Sequence, residues 1–549
     1  MACEGTLARA PALVDRWAER CDGDENRRSS PGSIWHQRPS YPREDSMQRI
    51  WRAALVAVVA LALAACTNAA ATSGSTSTDQ LRIGTLLDVT SWDPANADIG
   101  FDGPYLSAVY DPLVALDKNS RPVPALATSW SYSPDYLTLT MHLRTGVSFS
   151  DGQRFDAAAA VQNLEHLRSG VRSGQTYADV TSVTEVDPDT IALHLKKKND
   201  SLLYYMGLGR SWMASPAAIK AKSLTAAPVG SGPYTFRAGE STPGSQYVFT
   251  EQPRHWDRAT YPYRTVKVFP IADPTASFNA MLSGQLDVNY ANAADIPYAE
   301  RNGWNVASKV ATWVGIQFTD RTGKQLKPLG DVRVRQAINH AFDGAAILKS
   351  VGQGSGVATN QVFPAGDPAY DASLNDRYPF DMDKAKRLLA EAGYSDGFRV
   401  TMPMSSIFQA WQPAVQQILG QLGIKVTWKN MSPADYQKNA STFPMFVAVV
   451  ALDSNSAASV DGRIASRQWF NPNPSTEAFP EIQSLLGRIQ AATGDRQTAL
   501  IRELDAKVTD TAWQDVWYQA NNTYFSMKGI TVTPITGMMF PTLRFIQRG

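Results

Sequence analysis

Cysteine is nearly missing from this sequence, with three in 549 residues, at positions 3, 21 and 66. A disulfide-stapled scaffold, which needs closely spaced cysteine pairs in a short chain, is excluded. Histidine is also scarce, at six residues. His142, His166, His194, His255 and His340 are scattered, with no His-Glu-x-x-His or other paired ligand spacing, so no metal site is read. Neither sign of charge is in excess, since 52 Lys+Arg against 51 Asp+Glu leave a net +1. With no basic face, zinc-finger spacing or aromatic-basic motif, nucleic acid is a poor candidate partner. No apolar run reaches the roughly 20 residues a helix needs to span a bilayer. Gly352-Gln-Gly354-Ser-Gly356 lacks the Gly-Lys-Ser/Thr of a phosphate loop and reads as a flexible connection. Ser231 between Gly230 and Gly232 is not a Gly-x-Ser-x-Gly elbow, and no catalytic carboxylate pair stands out. The expectation is a protein that is not an enzyme and needs no cofactor.

What is present is a globular composition, 44% hydrophobic, 10% aromatic and 19% charged. It suits a large core, and the length suggests two to four domain-sized units. The most informative local feature runs from Met47 to Cys66. Met47-Gln-Arg49-Ile-Trp-Arg52 supplies a start residue and two positive charges, and Ala53 to Ala65 is unbroken apolar sequence. A basic segment, a short apolar segment and small residues before a cleavage point describe a secretory signal peptide. The end Leu63-Ala-Ala-Cys66 resembles the bacterial lipobox, which implies that Cys66 receives diacylglycerol and becomes the mature N-terminus. Residues 1–46 then read as an extension upstream of the true start at Met47. The competing reading is a cytoplasmic tail before an uncleaved anchor. Residues 66–80, rich in Ala, Ser and Thr, form a flexible tether.

From Leu81 onward strands and helices alternate. Leu137 to Leu143, Ile191 to Leu195 and Ile424 to Trp428 alternate apolar with polar residues, and Thr265 to Pro270 and Val516 to Phe525 are also strand-like. Asp156 is placed to cap a helix from Ala157. Further helices are predicted around Ala276 to Leu282, Val332 to Ala341, Asp383 to Glu391, Val415 to Leu422 and Ala499 to Val508.

The motifs along this mature segment resemble those of the family 5 bacterial extracellular solute-binding proteins, the oligopeptide-, dipeptide- and nickel-binding proteins of ABC importers. They begin with Tyr110-Asp-Pro-Leu-Val114, Pro124-Ala-Leu-Ala-Thr-Ser-Trp130 and Leu143-Arg-Thr-Gly-Val-Ser-Phe-Ser-Asp-Gly152. They continue with Gly230-Ser-Gly-Pro-Tyr234, Met281-Leu-Ser-Gly-Gln-Leu-Asp287, Asp331 to Asn339 and Ala385 to Tyr394, all in the family's order. The resemblance implies an α/β, two-lobed periplasmic-binding-protein-like fold of the class II, or cluster C, type with an extra inserted subdomain. Lobe one would comprise 81–112, 215–310 and 517–549, the subdomain 113–214, and lobe two 311–516. The chain would cross between lobes near Val310–Val314 and Val516–Asn521. The implied role is capture of a small solute, an oligopeptide or dipeptide first of all, for the membrane permease subunits of an ABC importer. The implied form is a monomer, lipid-anchored outside the cytoplasm. The alternatives are a sensor presenting its ligand to a signalling partner, or a binder of a nickel chelate, an opine or an oligosaccharide.

Candidate ligand residues follow from the resemblance and from the needs of an enclosed site, which fixes polar ends and excludes water with apolar walls. A peptide ammonium in a closed cleft needs a carboxylate partner. Peptide binders of the family place one in a motif that runs from Tyr-Asp through a Trp to the Asp, and Phe443-Pro-Met445-Phe-Val-Ala-Val-Val450-Ala-Leu-Asp453 keeps that spacing, ending on Asp453. Val450 stands where the family has Trp, and Ser454-Asn-Ser-Ala457 replaces a Tyr-Pro-Asp-Pro tail. The competing reading for Asp453 is a strand-end turn. Among 14 tryptophans, Trp92, in the loop Leu86 to Pro94, and Trp411, at a helix start, are candidates to touch ligand, as are Phe408 and Tyr518. Trp130, Trp256 and Trp428 read as core or interface.

Overall fold

The apolar positions of Thr138–Leu143 alternate with polar ones, and in the computed structural model that segment is a strand burying Leu139, Met141 and Leu143. The structure describes residues 79–549, apart from 467–469, 472, 473 and 475 and the side chains of 434 and 437. The segment read as a signal sequence, Cys66 and most of the expected tether lie outside the described residues. The strand belongs to a four-stranded antiparallel sheet with Ala127–Tyr132, Val180–Asp187 and Thr190–Leu195. Helix Ala157–Ser169 packs beside it. Asp156 caps this helix by accepting from the Ala159 amide at 3.0 Å, a contact that stabilises a helix by about 1 kcal/mol. The helices Pro274–Leu282, Val332–Ala341 and Met382–Glu391 start the same way, on Asp273, Asp331 and Asp381.

The largest sheet has nine strands: β1 (Gln80–Thr85), β2 (Tyr234–Phe236), β3 (Tyr247–Glu251), β4 (Thr265–Pro270), β5 (Val288–Tyr290), β6 (Asn305–Phe318), β7 (Gly356–Ala358), β8 (Met445–Ala451) and β9 (Gln514–Ser526). Their order is β8-β6-β9-β5-β1-β4-β3-β2, with β7 also paired to β9. β1 lies parallel to β4 and β5, while β6 runs antiparallel to β8 and β9. β6 and β9 are the longest strands. Asn305–Val310 pairs with Ser526–Asn521 and Thr312–Gln317 with Ala520–Gln514, and the register shifts between Val310 and Thr312 and again between Val314 and Gly315. An added Cβ at Gly315 would meet the Asp515 carbonyl oxygen at 1.9 Å, so only glycine lets β9 approach this closely at the shift.

Apolar side chains collect in distinct cores. One draws on Leu81 to Val288 and on Tyr524 to Ile546, a second on Ala95 to Met213 around the four-stranded sheet, and the largest on Trp313 to Tyr518. β6 and β9 connect the first core with the largest, giving a mixed α/β, two-lobed fold.

Helix Gly494–Asp510 carries an exception to apolar burial. Asp505 is 0% exposed and neither of its carboxyl oxygens has a hydrogen-bond partner. Burial holds its pKa well above the carboxylate range, and the nearby Asp367 and Asp371 push the same way. Below the ordinary carboxylate pKa the group is protonated both folded and unfolded, and its full contribution to stability is present. That contribution is lost as pH rises through the raised folded-state value. Asp505→Leu is therefore expected to raise stability at neutral pH by about 1–3 kcal/mol and to flatten the decline toward high pH. Urea midpoints across a pH series check this, and a variant midpoint at or below that of the parent at neutral pH contradicts it.

Candidate functional site

Two cavities adjoin where the cores meet. β8 faces them with alternate residues, since Val449 lines one and Ala451 the other. Across the ladder Val449 sits opposite Val314 and Ala451 opposite Thr312, and Val314 and Thr312 both line the first cavity. The two spaces are thus neighbours along one face of the strands that join the lobes.

The first cavity, about 410 Å³, is mostly apolar, and its walls include Tyr290, Trp411, Val449, Tyr518 and Asn522. The Trp411 indole N–H donates to the Tyr518 hydroxyl at 3.1 Å, which ties a turn before helix Gln412–Gln421 to β9. Phe408 lies behind Trp411, with ring centroids 6.3 Å apart, and packs on Tyr436 at 4.7 Å. The structure therefore brings Trp411, Tyr518 and Phe408 together. The connection Val351 to Ser355 closes one side of this space. In the sequence it reads only as a flexible link.

The second cavity, about 350 Å³, is polar, and Asp453 stands in its wall at the end of β8. Asp453 is 2% exposed and pairs with Arg463, whose Nη2 lies 2.9 Å from Oδ2. The hydroxyls of Tyr204 and Tyr205, on the one-turn helix Leu202–Tyr205, donate to its two oxygens at 3.5 Å. Burial pushes the Asp453 pKa up, opposed first by the Arg463 charge and then by the phenol and guanidinium hydrogen bonds. Beyond it Asn455 caps the short helix Ser456–Ser459 by accepting from Ala458 N, and the Ser456 hydroxyl donates to Asp367.

Trp92 does not join either group. It is 8% exposed, with its ring 5.1 Å from Phe236 and 5.7 Å from Tyr247, in the aromatic centre of the first core. The loop after β1 turns this large apolar ring inward, where its area is best removed from water. Tyr204, Tyr205, Arg210 and Arg463 carry no signal in the sequence reading. Tyr204 and Asp453 meet across 249 positions of chain, and no local pattern reports such a contact. The histidines hold separate partners, His166 with Asp93 at 2.7 Å and His255 with Asp111 at 2.9 Å. Among the described residues, no group of three or more His, Cys, Asp or Glu side chains is placed to hold a metal ion. No helix among them is long and apolar enough to cross a membrane.

Heme-binding protein A of Haemophilus influenzae is 29% identical to this chain over 441 residues, covering 70% of the chain and 78% of the relative. Glutathione-binding protein GsiB of Escherichia coli K12 is 28% identical over 349 residues, covering 61% of the chain and 66% of the relative. Among solved structures, NikA from Brucella suis in complex with Fe(III)-EDTA aligns with a TM-score of 0.73 at 21% identity, covering 86% of this chain and all of that one. DppA from Helicobacter pylori in complex with the peptide STSA aligns with a TM-score of 0.71 at 20% identity, covering 85% and 98%. At these identities the two structures establish a shared periplasmic-binding-protein fold. The model of the family described as bacterial extracellular solute-binding proteins, family 5 Middle, matches residues 121–469, and with most of the chain so matched, the chain belongs to that family, the solute-binding proteins of ABC importers.

Proposed function

We propose that this protein captures a short peptide between its lobes and delivers it to the permease subunits of an ABC importer, acting as a monomer held outside the cytoplasm by a lipid on Cys66. The observation that carries the peptide reading is Asp453, a buried carboxylate in the wall of a polar cavity next to a largely apolar one. A peptide needs both surroundings, a carboxylate for its ammonium and apolar walls for its side chains. The lobe boundaries proposed are 81–112, 215–310 and 517–549 for lobe one, 113–214 for the inserted subdomain and 311–516 for lobe two, in keeping with the separate cores. Closure is then a hinge motion about β6 and β9, whose register shifts supply local freedom from regular pairing.

One contact favours a second reading. Arg463 already neutralises Asp453, which suits a solute richer in carboxylates than a peptide, such as an opine or a metal chelate. Isothermal titration of the mature protein separates the two. Saturable 1:1 binding of unmodified di- to pentapeptides, lost on N-acetylation, supports the peptide. Binding of polycarboxylates alone supports the second reading.

A further inference from the structure

Among the described residues, one cation of the polar cavity has no ion-pair partner. Four basic side chains line it, and Arg172 is held by Asp98 at 2.6 Å, Lys197 by Asp179 at 3.7 Å and Arg463 by Asp453 at 2.9 Å. Among the described residues no carboxylate lies within ion-pair distance of the fourth, Arg210. Its Nη1 donates to the Ala97 carbonyl at 2.9 Å. Its backbone is fixed from two sides. The Tyr177 hydroxyl donates to the Arg210 carbonyl at 2.6 Å, and Gly209 before it holds a φ of +118° that L side chains rarely adopt. Burial pushes the Arg210 pKa down to about 10, opposed first by the charge of Asp98 and more weakly by Asp102, with the neighbouring Arg172 adding repulsion. The guanidinium therefore stays charged at neutral pH with no direct ion pair among the described residues. A planar guanidinium of this kind matches a carboxylate through two parallel N–H···O bonds.

We propose that Arg210 receives a carboxylate of the bound solute, which makes the segment 113–214 a direct contributor to specificity rather than a scaffold. This rests on the reading of the polar cavity as part of the solute site. It adds the demand that the solute present an anionic group to the side opposite lobe two. Four acids also stand in the wall, Asp98, Asp179, Asp453 and Asp461, and among the described residues Asp461, which accepts from the Ser466 hydroxyl at 2.5 Å, has no ion-pair partner.

The test uses the mature protein with two probe sets, a tripeptide as free acid and as C-terminal amide, and EDTA as a peptide-free polycarboxylate. On the parent protein, amidation is expected to weaken binding about 10- to 150-fold. Arg210→Gln is expected to weaken the free acid by a similar factor and to leave the amide nearly unchanged, with Arg210→Lys intermediate. Equal binding of acid and amide by the parent overturns the assignment without any variant having to fold. If peptides fail to bind but EDTA binds in a manner lost in Arg210→Gln, the peptide reading falls and the role of Arg210 stands. Carboxylate binding that is insensitive to Arg210, or no carboxylate binding at all, overturns it.

Discussion

Replacing Asp453 with alanine is expected to cost about 2–5 kcal/mol of peptide affinity, a rise in Kd of roughly thirtyfold to several thousandfold. Removing the carboxylate takes away the acceptor for the peptide ammonium. It also orphans Arg463, whose guanidinium sits 2.9 Å from Asp453 in a largely dehydrated wall. A like charge then faces the incoming ammonium, so loss of attraction and gain of repulsion act together. Asp453→Asn keeps the shape and the phenol contacts of Tyr204 and Tyr205 and isolates the charge. The pH dependence follows from the raised pKa of the buried carboxyl. Peptide affinity should be full above that value and fall as acidification protonates Asp453, beginning at higher pH than an ordinary carboxylate allows. Calorimetric titration of the parent and both variants between mildly acidic and neutral pH is the check. Unaltered peptide binding by Asp453→Ala removes Asp453 from the site.

Cys66→Ala is expected to move the protein from the membrane fraction to the soluble extracytoplasmic fraction. Each buried methylene of an acyl chain contributes about 0.8 kcal/mol, and a single chain gives only marginal, reversible binding. A diacylglycerol on the cysteine sulfur supplies two chains, enough for stable anchoring, and the variant has none. Expression in a bacterium fed labelled palmitate, followed by fractionation, measures both properties. The parent should carry label and sediment with membranes, and the variant should do neither. A parent chain that is unlabelled and retains residues 47–65 contradicts the anchor.

The elements were legible because short-range physics decides them. The alternation across Thr138–Leu143, the aspartate before Ala157–Ser169 and the apolar spacing of Val332–Ala341 each act within a few residues. The ordered family motifs then implied the two-lobed arrangement. The candidate site was legible only in part. Asp453 was proposed from its spacing in a family motif, and Trp411 from its place at a helix start. The partners that give Asp453 its electrostatics come from the one-turn helix Leu202–Tyr205, in Tyr204 and Tyr205, and from the helical turn Val460–Ala465, in Arg463, and sequence spacing carries no information on their meeting. Trp92 shows the opposite failure. Its loop position suggested the cleft, yet a tryptophan beside Tyr105, Phe236, Tyr247 and Phe249 gains more from burial among them than from facing water.

Native mass spectrometry of the mature protein, purified from an expressing bacterium without added solute, bears most directly on enclosure of one small guest between two lobes. The expected spectrum contains a species heavier than the bare polypeptide by the mass of a single short peptide, released intact on denaturation. A spectrum of bare polypeptide alone, unchanged after incubation with peptide mixtures and with polycarboxylates, would contradict it.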